Sequence, residues 1–376
     1  MNSSGRGRRL ASGGPTPVAG LITPQEVGVA SVDSIPAAAR AFAPRLARHS
    51  PRIPRAAFLL APSFLVVSVF VYVFISYTIG VALAQNWRPA RPYFTVADPW
   101  HRNFDLLAQS ARFQADLRNV IVFTILFLVL SVVVGFVVAV LVHNLLLARG
   151  FFRGMFLLPY ALSFIVTGVV WRWLFNPESG VNLLLRYSGV SSAYKAATGQ
   201  PLQPDWTSSP QVIGDVNGLL AQIVPFGHQI QVQLGIPLAL VAVVLAASWQ
   251  LMGFAMSMFL AGLASISEDI HEAAVMDGAT GPRFYRSIVI PLLWPSVVTT
   301  VVILTHVALK MFDLIYAMSG SGIGFATDMP GIFVYESTYK ALKPALGAAA
   351  SIVMLLLVLV VVVPYLVRHN PRANEA

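Results

Sequence analysis

The sequence predicts an all-α polytopic membrane protein. Hydrophobic residues make up 56% of its 376 residues and charged residues only 11%, whereas an average soluble domain carries roughly twice that charge. The mean hydropathy is +0.71, and six stretches approach the roughly 20 apolar residues that one helical crossing of a bilayer needs. Because the chain has no cysteine, disulfides, thiolate chemistry and cysteine-ligated metals are excluded.

The first 55 residues differ in composition from the rest of the chain. They are rich in Gly, Pro, Ala and Ser, show no helical periodicity, and contain eight arginines against two acidic residues. This composition predicts a disordered, basic cytoplasmic tail over residues 1–55. The arginines either contact anionic lipid or stay solvated and fix the orientation of the chain.

A transmembrane domain is predicted over residues 56–368. The predicted spans are about 56–84, 119–144, 154–175, 236–264, 292–318 and 345–367. Arg149 and Arg153 lie in a short loop at 145–153, and together with the basic tail they indicate the cytoplasmic side. Six spans then place both termini in the cytoplasm, including a short C-terminal tail at 369–376.

The longest connection, residues 176–235, is predicted to be an enlarged extracytoplasmic loop. Arg172 lies just before it between two tryptophans, and it is predicted to snorkel to the outer membrane interface. The loop begins with NPESG, which is typical of a turn. It ends with IGDVNGLLAQIVPFGHQIQVQLG, which forms either an interfacial helix or an outward extension of the fourth span.

The cytoplasmic loop at 265–291 is predicted to begin with a short helix. Ser265 and Glu268 have the spacing of a capping box, and the helix continues through DIHEAAVMD. Gly278 suits the left-handed backbone conformation that ends many helices. The spacing therefore predicts a helix that ends in a glycine turn.

A second short helix is predicted after this glycine. Thr280 is expected to cap it, with Pro282 tolerated in its first turn. Pro291 is expected to mark the start of the fifth span. A stiff rod joined at both ends to membrane spans can transmit a push from a cytoplasmic partner to a membrane gate.

The same loop resembles a known motif. The EAA run at 272–274, Gly278 and the pair Ile290-Pro291 have the spacing of the EAA loop of ABC importer permeases, whose consensus has leucine in place of Ile290. Further stretches that look like carbohydrate-importer permeases are 118–124, 156–185, 259–279 and 312–322.

This resemblance implies the type I ABC importer permease fold, with six transmembrane helices and a cytoplasmic coupling helix, in the inner membrane of a bacterium or archaeon. It implies three kinds of protein partner: a second permease subunit, an ATPase dimer that binds ATP and Mg²⁺, and an extracytoplasmic solute-binding protein. The residues it assigns to ATPase coupling are Glu272, Ala273, Ala274, Asp277 and Gly278, with Arg283 and Arg286 as further contacts to the ATPase or to lipid phosphates.

The sequence itself indicates a transport subunit rather than an enzyme. It has no GxxxxGK[ST] phosphate loop, and we find no catalytic triad, metal-site spacing or nucleic-acid module. We therefore expect no cofactor in this chain, no nucleic-acid partner, and membrane lipid around the spans. The energy then comes from a partner ATPase, or from a proton or ion gradient.

Polar residues within the spans are candidates for the solute pathway. His306, Lys310 and Asp313 lie at i, i+4 and i+7, so they are predicted to share one face of the fifth span. They either line the pathway or include an internal Lys310–Asp313 ion pair that faces the second permease. The other candidates are Thr305, Phe312, Tyr316 and, in the fourth span, Gln250, which alternatively bonds to a neighbouring helix.

Together these observations predict a permease subunit of an ATP-driven importer for a sugar or oligosaccharide. One alternative keeps this class but changes the solute to another small polar compound, such as glycerol phosphate or a polyamine. The other is a proton-coupled secondary transporter that uses Lys310 and Asp313 as its relay.

Overall fold

The computed structural model describes residues 53–85, 87–88, 90, 94–145, 148–199, 204–214 and 231–368. The predicted basic tail up to residue 52, the C-terminal tail at 369–376 and most of the apolar stretch at 213–235 lie outside these residues. The chain divides into two units, Met1–Phe64 and Leu65–Ala376. Of the first unit, the structure describes the beginning of one helix.

The first predicted span is helical along its whole length. Its parts are α1 (Ile53–Ser68), a π-helical segment (Val69–Val73) and α2 (Phe74–Leu83). Large apolar side chains such as Phe70 and Phe74 are exposed on it, as expected of a helix that faces lipid. A short helix, α3 (Arg102–Ala108), follows.

The second span is one uninterrupted helix, α4 (Ala111–Asn144). It has 34 residues, or about 51 Å at 1.5 Å per residue, and no proline interrupts it. It begins at Ala111 rather than at residue 119, because Ser110 caps it by accepting a hydrogen bond from the Phe113 N–H at 3.4 Å.

The third predicted span, at about 154–175, lies on a bent pair of helices. Its parts are α5 (Arg149–Leu157), a 3₁₀ turn (Leu158–Ala161) and α6 (Phe164–Leu174). The two helical pieces meet at 96°. Pro159 lacks an N–H group for the helix, and Leu162 has an extended backbone with ψ 149°, so the helical ladder ends between them.

The long connection between the third and fourth predicted spans contains its own secondary structure. Its helices and first strand are α7 (Gly180–Tyr187), α8 (Val190–Thr198) and β1 (Val212–Ile213). β1 pairs antiparallel with β2 (Ile236–Pro237), with Val212 opposite Pro237. Buried Asn182 accepts a hydrogen bond from Trp206 Nε1 at 2.7 Å and donates to the Pro204 carbonyl at 3.0 Å, which ties α7 to the segment that leads to β1.

The fourth span, α9 (Leu238–Leu263), packs along α4. The two helices approach closely at Gly135, where an added Cβ atom would lie 2.6 Å from the Ala255 Cβ atom. In the most apolar 18-residue stretch of α9, 67% of the residues are buried, whereas in the corresponding stretch of α4 only 28% are. The core of the bundle therefore surrounds α9.

The segment at 265–291 and the fifth predicted span consist of short helices with breaks. They are α10 (Glu268–Met276), α11 (Pro282–Phe284), a π segment (Tyr285–Val289), α12 (Ile290–Leu292), α13 (Trp294–Leu309) and α14 (Asp313–Met318). The helical stretch 282–292 meets α13 at 68°, so Pro291 lies inside a helix before the bend rather than at the start of the span. The helix expected over 292–318 ends at Leu309, because Lys310 (φ −118°) and Phe312 (φ −121°) leave helical geometry.

The last part of the chain returns along the bundle. Its elements are a 3₁₀ turn (Ile323–Phe325), α15 (Pro330–Tyr335), a π segment (Glu336–Lys340) and α16 (Pro344–Arg368), which packs against α2. Within the described residues, four helices are long and apolar enough to cross a membrane, or up to six if each bent pair is one span. The fold is thus all-α across the membrane, as predicted.

Candidate functional site

The predicted coupling segment, residues 265–291, contains the expected helix α10, but with a different start. α10 begins at Glu268, with Ser267 as its N-cap residue. Ser265 does not cap it, because its Oγ donates to the Gly262 carbonyl at 2.7 Å in the turn that closes α9. The predicted capping box is therefore wrong.

Gly278 ends α10 in the left-handed conformation, as predicted. Its φ is 73°, its N–H donates to the Val275 carbonyl at 3.0 Å, and the Ala279 N–H donates to the Ala274 carbonyl at 2.8 Å. These two bonds form a Schellman motif. No atom lies within 4 Å of the position that a Cβ would take, so the backbone conformation alone requires glycine here.

The second helix of the segment begins at Pro282, but its cap is not the predicted one. Gly281, with φ 56°, occupies the N-cap position in place of Thr280. Proline at the first helical position loses no intrahelical bond, because that N–H has no partner in a helix.

α10 leaves most of its predicted coupling residues open to another molecule. Ala274 is buried against the protein. The exposed candidates are Glu272, Ala273, Asp277, Gly278, Arg283 and Arg286. Met276 next to them is 87% exposed.

The coupling segment also contacts the C-terminal end of α4. Asn144 Nδ2, on the last residue of α4, donates to the Tyr285 hydroxyl at 2.8 Å. The rings of His271 and Phe284 meet edge to face at 4.8 Å, which joins α10 to the helix after it. The part of the coupling segment that follows α10 is therefore hydrogen-bonded to the end of α4.

A polar cavity of 540 Å³ lies near the other end of α4. Side chains from four parts of the chain line it, among them Arg172, Ser208, Ser319, Ser321, Glu336 and Lys340. Tyr316 supplies an aromatic wall. Hydroxyl, carboxylate and cationic groups thus surround a space of the size that small-molecule ligands occupy.

Aromatic rings from α14 and α15 form one cluster beside this cavity. Phe312 and Tyr316 are stacked at 5.1 Å, and Tyr335 contacts them at 5.6 and 5.4 Å. Tyr339 extends the cluster at 5.6 Å from Tyr335. Lys340 Nζ lies 5.4 Å from the centre of the Tyr316 ring, within the range of a cation–π contact.

A chain of charged groups connects the start of α4 to the cavity. Arg112 donates from Nε to Asp328 and from Nη2 to Glu336, each at 2.6 Å. Lys340 Nζ also donates to Glu336, at 2.9 Å. Asp328 is fully buried. Burial raises the pKa of Glu336, but the hydrogen bonds from Lys340 and Arg112 outweigh it and hold that pKa below its ordinary value. Glu336 therefore stays ionised at neutral pH.

Asn119 organises the loops around this charged chain. Its Nδ2 donates to the carbonyls of Phe325 and Asp328, each at 2.8 Å. Arg118 donates to Asn119 Oδ1 at 2.8 Å and to the Gln233 carbonyl at 2.7 Å. The other partners of Arg118 and Asn119 lie more than 100 positions away in the chain. For this reason the sequence showed only that residues 118–124 resemble carbohydrate-importer permeases.

The residues predicted for the solute pathway are only partly brought together. Phe312 and Tyr316 meet in the aromatic cluster. The expectation that His306, Lys310 and Asp313 share one helical face is wrong, because the helix breaks at Lys310 and Asp313 starts a new one. In the described part of the chain, Lys310 and Asp313 form no ion pair within 4.0 Å.

Two other predicted pathway residues bond to the backbone. Gln250 is 2% exposed, and its Nε2 donates at 2.8 Å to the Leu162 carbonyl, which the bend between α5 and α6 leaves outside a helix. Thr305 Oγ1 donates to the Val301 carbonyl of its own helix at 2.7 Å. These contacts favour the alternative in which Gln250 holds a neighbouring span in place.

The prediction missed the part of the cluster that comes after α14. The stretch YESTYK, residues 335–340, places Tyr335 and Tyr339 four residues apart, and likewise Glu336 and Lys340. Pairs at i, i+4 share a helical face, and this signal was present in the sequence.

Known proteins resemble this chain along most of its length. Residues 131–373 match the family described as binding-protein-dependent transport system inner membrane component. A probable ABC transporter permease protein of Pyrococcus horikoshii is 30% identical over 320 residues, which cover 85% of this chain and 97% of that protein. The trehalose/maltose transport system permease protein MalF of Thermococcus litoralis is 26% identical over 82% of this chain and 91% of that protein.

The fold also matches a solved structure. A chain in the crystal structure of a bacterial ABC transporter involved in the import of the acidic polysaccharide alginate superposes with a TM-score of 0.59 at 19% identity, covering 82% of this chain and 93% of that chain. The apolar helices, the bent spans and the matched family agree with one another. The chain therefore belongs to the family of binding-protein-dependent transport system inner membrane components, as a multi-pass permease subunit of an ABC importer with the type I permease fold.

Proposed function

We propose that this permease subunit forms half of the pathway through which a sugar or oligosaccharide enters the cell. The observation that carries the proposal is the aromatic cluster of Phe312, Tyr316, Tyr335 and Tyr339 at the edge of the polar cavity. A sugar ring has apolar C–H faces that pack on aromatic rings, and a rim of hydroxyl groups that need hydrogen-bond partners. The names of the relatives that transport trehalose, maltose and alginate support the same solute class.

Tyr316→Ala tests this site, with Tyr316→Phe as the matched control. The alanine variant removes the stacked ring, and we expect uptake of the preferred sugar to fall about tenfold, as for the loss of an aromatic contact of about 1.4 kcal/mol. The phenylalanine variant keeps the ring and most of the uptake. The assay is uptake of a panel of labelled mono- and oligosaccharides, with glycerol phosphate and a polyamine included. Transport of only the last two, or an alanine variant equal to wild type for every sugar, contradicts the proposal.

The energy for uptake comes, in this proposal, from a separate ATPase dimer that holds ATP and Mg²⁺ and docks on α10. Support comes from the exposed face with Glu272, Ala273 and Met276, and from the lack of a phosphate loop in the sequence. A second permease completes the pathway, and a solute-binding protein docks on the side of the polar cavity. With α10 inside, both termini are cytoplasmic.

The energy source has its own test in cells. ATP depletion is expected to stop uptake, whereas an uncoupler that collapses the proton gradient leaves it largely intact. The opposite pattern identifies a proton-coupled transporter, which the separated positions of Lys310 and Asp313 do not favour.

Tyr285→Phe tests whether α10 acts through α4. The change removes the hydroxyl that accepts from Asn144 and keeps the ring contact with Phe284 at 5.6 Å. A net hydrogen bond contributes about 1 kcal/mol. We therefore expect the amount of solute taken up per ATP hydrolysed by the assembled complex to fall about fivefold. Asn144→Ala should reproduce the defect, and the double variant should add nothing. Additive losses would show that the two groups act separately.

A further inference from the structure

A second polar cavity, of 500 Å³, lies where the first and last spans end. Its lining includes three cationic side chains, Arg88, Arg102 and Lys343. Its lining contains no carboxylate, and within the described residues none of the three cations forms an ion pair within 4.0 Å. The cavity therefore carries an uncompensated positive charge that suits an anion.

The wall of this cavity is held in place by hydrogen bonds to the end of α2. Asn103, which is 6% exposed, donates to the carbonyls of Ala82 and Ala84 at 2.7 and 2.9 Å. Trp87 also lines the cavity, and its ring meets Tyr77 edge to face at 5.9 Å. Its buried Nε1 has no hydrogen-bond partner among the described residues. Tryptophan and tyrosine are enriched where a membrane meets water.

A separate apolar groove of 250 Å³ lies between the first and last spans. Its lining residues are Phe74, Ile75 and Thr78 of α2 and Ser351, Ile352 and Leu355 of α16. Ala345 of the cationic cavity and Ile352 of the groove are seven residues apart, so they lie on one face of α16 about 10 Å apart. Cavity and groove thus follow the same line along the helix.

The two helices that form the groove face away from the protein core. In the most apolar 18-residue stretch of the first span only 6% of the residues are buried. The corresponding share is 22% in the last span and 67% in α9. Phe74 and Leu356 beside the groove are 59% and 55% exposed. An apolar groove on such helices is open to lipid chains.

We propose that the cationic cavity and this groove together bind one anionic phospholipid, with its phosphate between Arg88, Arg102 and Lys343 and an acyl chain between α2 and α16. Charge complementarity selects this occupant, because three cations attract a phosphodiester and nothing in the lining repels it. The groove adds the specificity for a lipid over a free anion, since four of its six lining residues are apolar and none is charged. The inference is independent of the transported solute.

The test uses the complete importer, reconstituted in phosphatidylcholine nanodiscs that contain phosphatidylglycerol, and native mass spectrometry to count the lipid retained on the chain. We expect one phosphatidylglycerol per chain. The triple variant Arg88→Gln, Arg102→Gln, Lys343→Gln should lower the apparent affinity about a hundredfold. A control with the same loss of charge at exposed positions elsewhere, Arg153→Gln, Arg186→Gln, Lys195→Gln, should keep the lipid.

Two further arms separate the lipid from other occupants. Ser351→Phe fills the groove without changing charge and should also release the lipid, whereas millimolar inorganic phosphate should not displace it from wild type. Three results would overturn the proposal. The triple variant and its control could retain the same amount of phosphatidylglycerol, wild type could bind phosphatidylcholine equally well, or phosphate could displace the lipid. A last experiment labels the Arg88→Cys variant with a thiol reagent in lipid-free detergent. If the second permease protects this cysteine from the reagent, that protein covers the cavity and the proposal is overturned.

Discussion

Substituting Gly278 by proline is expected to abolish ATP-linked uptake while the protein remains inserted in the membrane. Proline fixes φ near −65°, whereas Gly278 has φ 73°. The change also removes the N–H that donates to the Val275 carbonyl. The end of α10 must then unwind or turn in another direction, which displaces the exposed face that we propose as the docking site of the ATPase. Uptake and membrane insertion are measured on the same cells.

Matched variants show whether the effect belongs to this position. Gly199 ends α8 with φ 77°, and its N–H donates to the Lys195 carbonyl at 2.8 Å, so Gly199→Pro makes the same local change outside the coupling segment and should spare uptake. Gly278→Ala meets no atom within 4 Å and costs only roughly 1–2 kcal/mol in the left-handed region, so a partial defect is expected. Glu272→Lys, which reverses a charge on the docking face, should also abolish uptake. Wild-type uptake by Gly278→Pro would refute the coupling role.

The second large effect is expected from Arg112→Met. This change leaves fully buried Asp328 and mostly buried Glu336 without the guanidinium that bridges them at 2.6 Å each. Removing one partner of a buried ion pair costs about 3–5 kcal/mol, because the remaining charge is uncompensated. We expect a clearly lower thermal unfolding midpoint of the purified protein and loss of uptake.

The control for this variant is the other cation on the same carboxylate. Lys340 bonds Glu336 too, but its side chain is 54% exposed, and an exposed pair contributes at most about 1 kcal/mol. Lys340→Met should therefore shift the midpoint little. Adding Asp328→Asn and Glu336→Gln to Arg112→Met should recover part of the lost stability, because neither carboxylate is then left as a charge without its guanidinium partner. Equal destabilisation by the Arg112 and Lys340 variants is the result that contradicts this account.

The local features of the coupling segment could be predicted from the sequence. The left-handed turn at Gly278 and the proline at the start of the second helix depend on residues within one or two helical turns. The cap was misassigned, because the Ser265 hydroxyl donates to the Gly262 carbonyl at the end of α9 instead of capping α10. The long apolar helices were equally accessible, because their hydropathy extends over more than 20 residues.

The bends and the polar network could not be predicted in the same way. A proline allows a helix to continue or to bend, and packing decides which: the chain bends near Pro159 yet continues through Pro62 and Pro364. The contact of Arg112 with Glu336 joins residues 224 positions apart. Contacts between residues this far apart depend on how the spans pack. The sequence therefore did not show that the helix carrying His306 ends before Asp313, or that Phe312 contacts Tyr335.

The length of α4 has a mechanical consequence. Its last residue bonds Tyr285 beside the coupling segment, and its second residue bonds Asp328 and Glu336 beside the polar cavity. A continuous hydrogen-bonded helix resists compression and bending, and α4 lacks the proline that most often introduces a kink. One rigid helix thus joins the coupling segment to the wall of the polar cavity. A tilt of α4 that moves one of its ends therefore shifts the other end in the opposite sense.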